Sequence, residues 1–253
     1  MIREERTHEG KLARLVLDAG KGNVLDRKLL VALDERFRAL GEDHRVRVVL
    51  LSHAGDHFCF GASVAEHAPG EVESMLPAFH GLFRTIARAA VPIVVAVRGR
   101  CLGGGLELAL AAHRIVVAGD AILGVPEITL GVFPPVAAAV LPLRAGQATA
   151  DRLITSGETV RGADAVRLGL ADESVPSAEV DGRALAIAEG YTHLSGAALR
   201  FAVRAARFAW DEALGARLDA LEKLYLRELM ATADAKEGIA SFLEKRGPRW
   251  VDA

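Results

Sequence analysis

The stretch CLGGGLELAL, residues 101–110, places three consecutive glycines directly before a run of strong helix formers that also carries a carboxylate, Glu107. Glycine inside a helix is unfavourable by about 1 kcal/mol per residue, so the triplet must do something that side chains would obstruct. One interpretation is a tight strand-to-helix turn with unusual backbone angles, in which Glu107 is favoured by the helix dipole. The other is a helix N-terminus whose bare amides bind a ligand atom that carries negative charge. This stretch alone does not separate the two interpretations.

Apolar runs typical of strands alternate with helical spacing on both sides of this stretch. The runs rich in Val and Leu, which buried strands require, span residues 11–18, 46–52, 91–97 and 114–118. Helical spacing is found between them, at residues 26–40 and 105–113. Because strands and helices alternate with short connections, the sequence predicts an α/β fold.

The second half of the chain has a different character. Helical patterns dominate from Gln147 to the end, with one strand-like interruption, ADESVP at 171–176. An apolar stripe, which indicates a packing face, is formed by the leucines at 214, 218, 221, 224, 226 and 229. We therefore expect a sheet-containing core over residues 1–190 and a helical region over 191–253.

Composition excludes several classes of function. The formal net charge is −2 and the sequence pI is near 6.5, so the chain has no overall electrostatic reason to bind nucleic acid or an anionic membrane. The apolar runs are shorter than the roughly 20 helical residues that cross a bilayer. The first ten residues, MIREERTHEG, lack the apolar core of a secretory signal. We expect a cytoplasmic protein that has neither nucleic acid nor membrane as a partner.

The spacing of cysteine and histidine predicts no metal site. The two cysteines, Cys59 and Cys101, belong to no C-x-x-C motif, and the eight histidines form no H-E-x-x-H motif. A glycine-rich phosphate loop that ends in Gly-Lys-Ser or Gly-Lys-Thr is also absent from the sequence. A metalloprotease or a nucleotide-driven motor is therefore disfavoured.

A second glycine-bearing loop, GDHFCFGASVAEH at 55–67, follows a predicted strand just as the glycine triplet does. Ligands of α/β proteins usually bind at such strand ends. Taken in order, FCFGAS (58–63), VRGRCLGGGLELALA (97–111) and GVPEITLGVFP (124–134) resemble the crotonase family, also called the enoyl-CoA hydratase/isomerase superfamily. The resemblance covers almost the whole chain, since it extends to KGNVLD (21–26), TSGETVRGADAVRLGLADESV (155–175) and SFLEKRGPRW (241–250).

The resemblance implies a fold and a class of substrate. The fold is a crotonase-like spiral of β-β-α units followed by a C-terminal helical trimerisation region, so the expected assembly is a homotrimer or a dimer of trimers. The substrate is an acyl-CoA thioester, with coenzyme A as part of the substrate and no separate cofactor. Matching positions assign the backbone amides of Ala62 and Gly104 to an oxyanion hole. The residues assigned to CoA binding are Lys21, Val24, Ala62, Ser63, Val64, Ala65 and Lys245.

Two carboxylates match the positions that hydratases of this family use, Glu107 after the glycines and Glu127 in the P-E dipeptide. Hydration needs a base that activates water and an acid that protonates the α-carbon, and two carboxyls held close together can divide these roles because one is protonated more readily. We assign water activation to Glu107 and protonation to Glu127, although the sequence does not fix this division. Two alternatives stay open: a Δ3-Δ2 enoyl-CoA isomerase, which can work with one carboxylate, and a catalytically idle crotonase-fold binding protein.

The clearest departure from the family pattern is GVFPPVAAAVLPLRAG at 131–146, where prolines and small apolar residues replace a glycine-rich run. In the family this segment lines the acyl pocket, so Pro134, Pro135 and Val136 are the expected lining residues. A wall of this composition suits a compact acyl group better than a long flexible one. The segment is similar to that of family members that hydrate a cyclic dienoyl-CoA.

Overall fold

The computed structural model describes residues 1–253, except for the side chains of residues 209, 212 and 213. A six-stranded sheet has the order β1-β2-β3-β4-β6-β9, and a three-stranded sheet has the order β5-β7-β8. In chain order the strands are β1 (Ile2–Thr7), β2 (Leu12–Leu17), β3 (Val48–His53), β4 (Ile93–Val97), β5 (Arg100–Leu102), β6 (Arg114–Ala118), β7 (Ile122–Gly124), β8 (Thr159–Arg161) and β9 (Glu173–Val175). The large sheet is parallel apart from the antiparallel pair of β1 and β2.

Helices separate the strands and fill the C-terminal part of the chain. They are α1 (Arg27–Glu42), α2 (Val72–Arg88), α3 (Gly104–Leu110), α4 (Pro135–Arg144), α5 (Gln147–Ser156), α6 (Gly162–Ala165), α7 (Val180–Tyr191), α8 (Gly196–Ala206), α9 (Phe208–Lys223) and α10 (Ala233–Leu243). Two 3-10 turns matter below, Val64–His67 and Pro126–Leu130, and α9 continues into a π-helix, Leu224–Glu228. Within the described part of the chain, none of the helices is both long and apolar enough to span a bilayer.

Successive strand pairs step between the two sheets. β4 and β5 contribute one strand to each sheet and lead into α3, and β6 and β7 do the same before α4. This is the β-β-α repeat that the resemblance implies, and the α/β class is confirmed. Every residue of β3 and β4 is buried, as expected for parallel strands covered on both faces.

The predicted strands correspond to β2, β3, β4, β6 and β9, and the helix predicted over 26–40 is α1. Asp26 begins that helix, because its carboxylate accepts a hydrogen bond from the Leu29 N–H at 2.8 Å. The sequence interpretation assigned no element to α2 or β1. β1 has the mostly polar sequence IREERT, as an edge strand can, and α2 carries Pro77 within an otherwise regular apolar spacing.

Residues 191–253 pack back onto the sheet-containing core. α9 packs against α2 and α4, and α10 packs against both 3-10 turns. The predicted leucine stripe is only partly buried: Leu214 and Leu218 are in the core, whereas Leu224 is 42% exposed. The stripe changes face where the π-helix begins, because a π-helical turn alters the residue spacing.

Candidate active site

Three chain segments run side by side and bring the predicted site residues together. Cys59 pairs with Cys101 in a parallel bridge, and Cys101 pairs with Leu123 in the small sheet. Each segment turns within the next few residues, so the three turns meet at one edge. Ala62 and Gly104 lie three residues after Cys59 and Cys101, and Glu127 lies four residues after Leu123.

The two backbone amides proposed for an oxyanion hole are neighbours. A Cβ atom built on Gly104 would lie 3.1 Å from the Ala62 nitrogen, and both residues line one cavity. Among the described residues, neither the Ala62 N–H nor the Gly104 N–H donates a hydrogen bond to the protein. Native proteins seldom leave such donors unused, and two amides aimed at one point are the usual arrangement for stabilising a developing oxyanion.

Close approaches at Gly103 and Gly105, besides the one at Gly104, explain the glycine triplet. Gly103 has φ +52°, and a Cβ there would lie 2.5 Å from Glu127 Oε1. A Cβ on Gly105 would lie 2.6 Å from the Cys59 Cβ, so the helix could not pack against the neighbouring loop. The triplet thus makes a turn with an unusual backbone angle at Gly103 and leaves space for the Glu127 carboxylate, whereas a ligand at the Gly104 amide stays a prediction.

Glu107 is only 2% exposed in the first turn of α3. Its Oε1 accepts a hydrogen bond from the Ala137 N–H at 2.7 Å, and the Val136 N–H also stabilises the charged form. Burial raises the pKa of Glu107 to about 7, while these two amides act in the opposite direction. The carboxyl group therefore ionises near neutral pH.

Glu127 lies in the 3-10 turn Pro126–Leu130, and its carboxyl group has fewer hydrogen-bond partners than that of Glu107. Its Oε2 is shielded from solvent and has no hydrogen-bond partner among the described residues. Burial raises the pKa of Glu127 well above its ordinary value, and the nearby Glu107 carboxylate raises it further. Glu127 therefore holds its proton more strongly than an ordinary glutamate does, and ionised Glu107 favours that neutral form.

Both glutamates line a small cavity of about 90 Å³ whose wall is otherwise mostly apolar. Pro134 and Pro135 lie on this wall as expected, but the buried side chain of Val136 does not line it. The prolines open helix α4, where Pro135 occupies the first helical position that suits a residue without an N–H. Lining residues that the sequence analysis missed include His67, Phe79, Phe133 and Ile239.

The segment expected to contact CoA lies alongside the loop that carries Ala62. The Leu25 N–H donates to the Gly61 carbonyl at 2.9 Å, and the Ser63 N–H donates to the Leu25 carbonyl at 3.1 Å. Lys21, Val24, Ala65 and Lys245 are all exposed. Of the CoA set, Ala62 and Val64 line the cavity described here, and the CoA-binding roles of all seven residues stay predictions.

Comparison with known proteins identifies the family. The family model described as enoyl-CoA hydratase/isomerase matches residues 8–253. The cyclohexa-1,5-dienecarbonyl-CoA hydratase of Thauera aromatica is 46% identical over 246 residues, which cover 96% of this chain and 93% of the relative. A probable enoyl-CoA hydratase of Bacillus subtilis (strain 168) is 34% identical over 249 residues, which cover 94% of this chain and 95% of the relative.

A solved structure gives the same result at the level of the fold. The enoyl-CoA hydratase/isomerase from Pseudoalteromonas atlantica T6c superimposes with a TM-score of 0.89 at 27% identity and covers 99% of both chains. The resemblance noted in the sequence is confirmed, and the chain belongs to the enoyl-CoA hydratase/isomerase family.

Proposed function

We propose that the protein adds water across the conjugated double bond of an α,β-unsaturated acyl-CoA thioester. The observation that carries this proposal is the meeting, at one cavity, of two backbone amides that have no partner among the described residues and two buried carboxyls whose pKa values are both raised. A single carboxyl could move a proton for double-bond migration, whereas a pair in opposite protonation states supplies both the base and the acid that hydration needs. The hydratase names of the relatives support the same reaction.

The chemical step assigns one role to each group. Ionised Glu107 takes a proton from water as the water oxygen bonds to the β-carbon, and the electron pair of the double bond moves onto the thioester oxygen. The N–H groups of Ala62 and Gly104 stabilise this enolate without having to reorganise; one such donor is typically worth about 3–4 kcal/mol. Glu127 then gives its proton to the α-carbon, and the electron pair returns from oxygen. Proton transfer from Glu107 to Glu127 restores the starting state.

The acyl group that the cavity favours is compact and cyclic, and a cyclic dienoyl-CoA is the proposed substrate. The cavity is small, and its wall is built from rigid groups such as Phe79, Phe133, Pro134 and Pro135. The Thauera relative, named for a cyclic dienoyl-CoA, matches along almost the whole chain. Coenzyme A enters as part of this substrate, with Lys21 and Lys245 as candidate phosphate partners and no separate cofactor.

The C-terminal region is the proposed assembly surface for a homotrimer or a dimer of trimers. Phe201 is 69% exposed and Phe208 is 73% exposed, so the C-terminal region offers large apolar side chains that a second copy could cover. A cytoplasmic location stays a prediction. Sedimentation equilibrium of the purified protein measures the assembly directly, and a monomer at micromolar concentration would contradict this part of the proposal.

The proposed reaction is tested with two thioesters, crotonyl-CoA and cyclohexa-1,5-diene-1-carbonyl-CoA. Loss of the conjugated thioester absorbance measures hydration, and chromatography of the products separates a hydroxyacyl-CoA from an isomerised enoyl-CoA. We expect hydration of both, with the larger kcat/KM for the cyclic diene. Isomerised product without hydroxyacyl-CoA would favour the isomerase, and bound thioester without any turnover would favour an idle binding protein.

A further inference from the structure

Tyr225 is a buried tyrosine that contacts the wall of the cavity. It is 1% exposed, its ring meets that of Phe133 edge-on at 5.2 Å, and it lies 6.5 Å from the ring of His67. Phe133 and His67 both line the cavity. Tyr225 also belongs to the π-helix Leu224–Glu228, and π-helical turns within α-helices occur frequently at functional sites.

The Tyr225 hydroxyl has no hydrogen-bond partner among the described residues, although it is shielded from solvent. Buried tyrosine hydroxyls usually find a partner, because an unsatisfied donor is destabilising. In this neighbourhood Glu127 Oε2 is a second buried oxygen that lacks a partner among the described residues. Two buried oxygens that lack a partner among the described residues therefore lie near the same cavity.

The ionisable groups around Tyr225 are few. Glu127 and Glu107 are both close enough to raise the pKa of the Tyr225 hydroxyl, to which burial makes the largest contribution. His67 faces the ring, and burial lowers its pKa, so it is neutral at pH 7. Glu222, which lies one turn earlier in α9, is paired with His80 at 2.7 Å. Tyr225 thus keeps its proton throughout the working range, and its hydroxyl can donate to an ionised glutamate.

We infer that Tyr225 is a positioning residue for the acid of the reaction: its hydroxyl donates a hydrogen bond, directly or through one water molecule, to the Glu127 carboxylate that forms when Glu127 releases its proton. This inference rests on the proposed function, since it is the hydration step that ionises Glu127. Once Glu127 is ionised, a hydrogen bond to the charged group is stronger than one to the neutral form.

The variant that tests this inference is Tyr225→Phe, which removes only the hydroxyl. Hydrogen bonds to charged groups contribute enough to predict a kcat for hydration about 10- to 100-fold lower, with KM changed less than about twofold. Without the donor the pKa of Glu127 rises, and since hydration needs protonated Glu127, the alkaline limb of the pH profile moves up by about one unit or more. Because the lost hydroxyl has no partner among the described residues, the Tm should stay equal or rise.

The matched control is Tyr191→Phe, because Tyr191 on α7 is the other tyrosine of the chain. This variant should keep both kcat and the pH profile. The inference is overturned if Tyr225→Phe leaves kcat and the alkaline limb unchanged. It is also overturned if Tyr225→Phe lowers kcat and Tm together without moving the limb, since the hydroxyl is then an ordinary structural group.

A readout without turnover separates this inference from the proposed reaction. The infrared C=O stretch of protonated Glu127, identified by its loss in Glu127→Gln, is titrated in the wild type and in Tyr225→Phe. The midpoint should lie higher in Tyr225→Phe even if neither thioester is hydrated, in which case the proposed function fails and the pairing of Tyr225 with Glu127 stands. Equal midpoints would overturn the pairing whatever the activity.

Discussion

Glu107 and Glu127 are the same residue type at the same cavity, yet they differ in the hydrogen bonds that backbone N–H groups donate to them. Glu107 accepts the Ala137 N–H at 2.7 Å at the start of α4, whereas Glu127 Oε2 has no partner among the described residues. Pro134 and Pro135 have no N–H, so the first amides that α4 offers are those of Val136 and Ala137, the two that stabilise ionised Glu107. In the proposed mechanism, this difference in the position of helix α4, rather than side-chain chemistry, separates the base from the acid.

Replacing either carboxyl by an amide should have the largest effect on hydration. Glu107→Gln and Glu127→Gln should each lower kcat for hydration by about 10³-fold, because each removes one proton-transfer group. The two variants should differ in a partial reaction. Exchange of the α-proton of a saturated acyl-CoA in D₂O needs only the group next to the α-carbon, so Glu107→Gln should keep the exchange and Glu127→Gln should lose it, as NMR can measure. The reverse pattern would invert the assigned roles.

Gly103→Ala disturbs one member of the pair and leaves the other anchored. The new Cβ would lie 2.5 Å from Glu127 Oε1, whereas Glu107 keeps its bond to Ala137. A displacement of about 1 Å can cost about 100-fold in rate, so kcat should fall by about that factor. Gly182→Ala on α7 is the control, since a Cβ there meets nothing within 4 Å, and it should retain full activity. An active Gly103→Ala enzyme would show that Glu127 need not occupy this position.

The sequence reveals the residues of the site better than it reveals their arrangement. The glycine triplet, the loop around Ala62 and the P-E dipeptide all carry local signals, and the structure brings these segments together. Neither the register that pairs Cys59 with Cys101 and Leu123 nor the small sheet itself could be predicted, because β5 and β7 are three residues long each. Strands this short have no periodicity to detect.

Two elements of the cavity were missed for different reasons. The apolar spacing of α2, which supplies Phe79, was present in the sequence but was interrupted by Pro77. Helix α4 has its first proline at a position that favours a helix start, yet a stretch with three prolines suggests a rigid loop. Tyr225 had no local signal at all, since only the tertiary packing of α9 brings it to the cavity wall.

The pH dependence of kcat/KM tests the protonation states proposed for the two glutamates. Glu107 must be ionised to accept a proton, so hydration should rise about tenfold per pH unit below about 7 and level off above it. Glu127 must be protonated, and its pKa lies well above the ordinary value, so activity should fall again at alkaline pH. Stopped-flow rates from pH 5 to 10 test this bell shape. The acid limb should disappear from the residual activity of Glu107→Gln, and a limb that persists there would assign it to another group.

Stability gives the last test, because the two influences on Glu107 have opposite signs. Its pKa rises from 4.5 to about 7 on folding. The protonated carboxyl therefore stabilises the native state fully below pH 4.5, and the free energy of unfolding falls as the pH rises through 7. The loss amounts to at most about 3 kcal/mol, whereas a charge at a helix N-terminus contributes about 0.3–2 kcal/mol, so burial should win. In urea unfolding, Glu107→Gln should match the wild type near pH 4.5 and exceed it at pH 8, while Glu35→Gln on the exposed face of α1 should track the wild type at both. A less stable Glu107→Gln at pH 8 would contradict this expectation. It would mean that the hydrogen bonds from the start of α4 stabilise ionised Glu107 by more free energy than its burial costs, so that the charged carboxylate stabilises the fold.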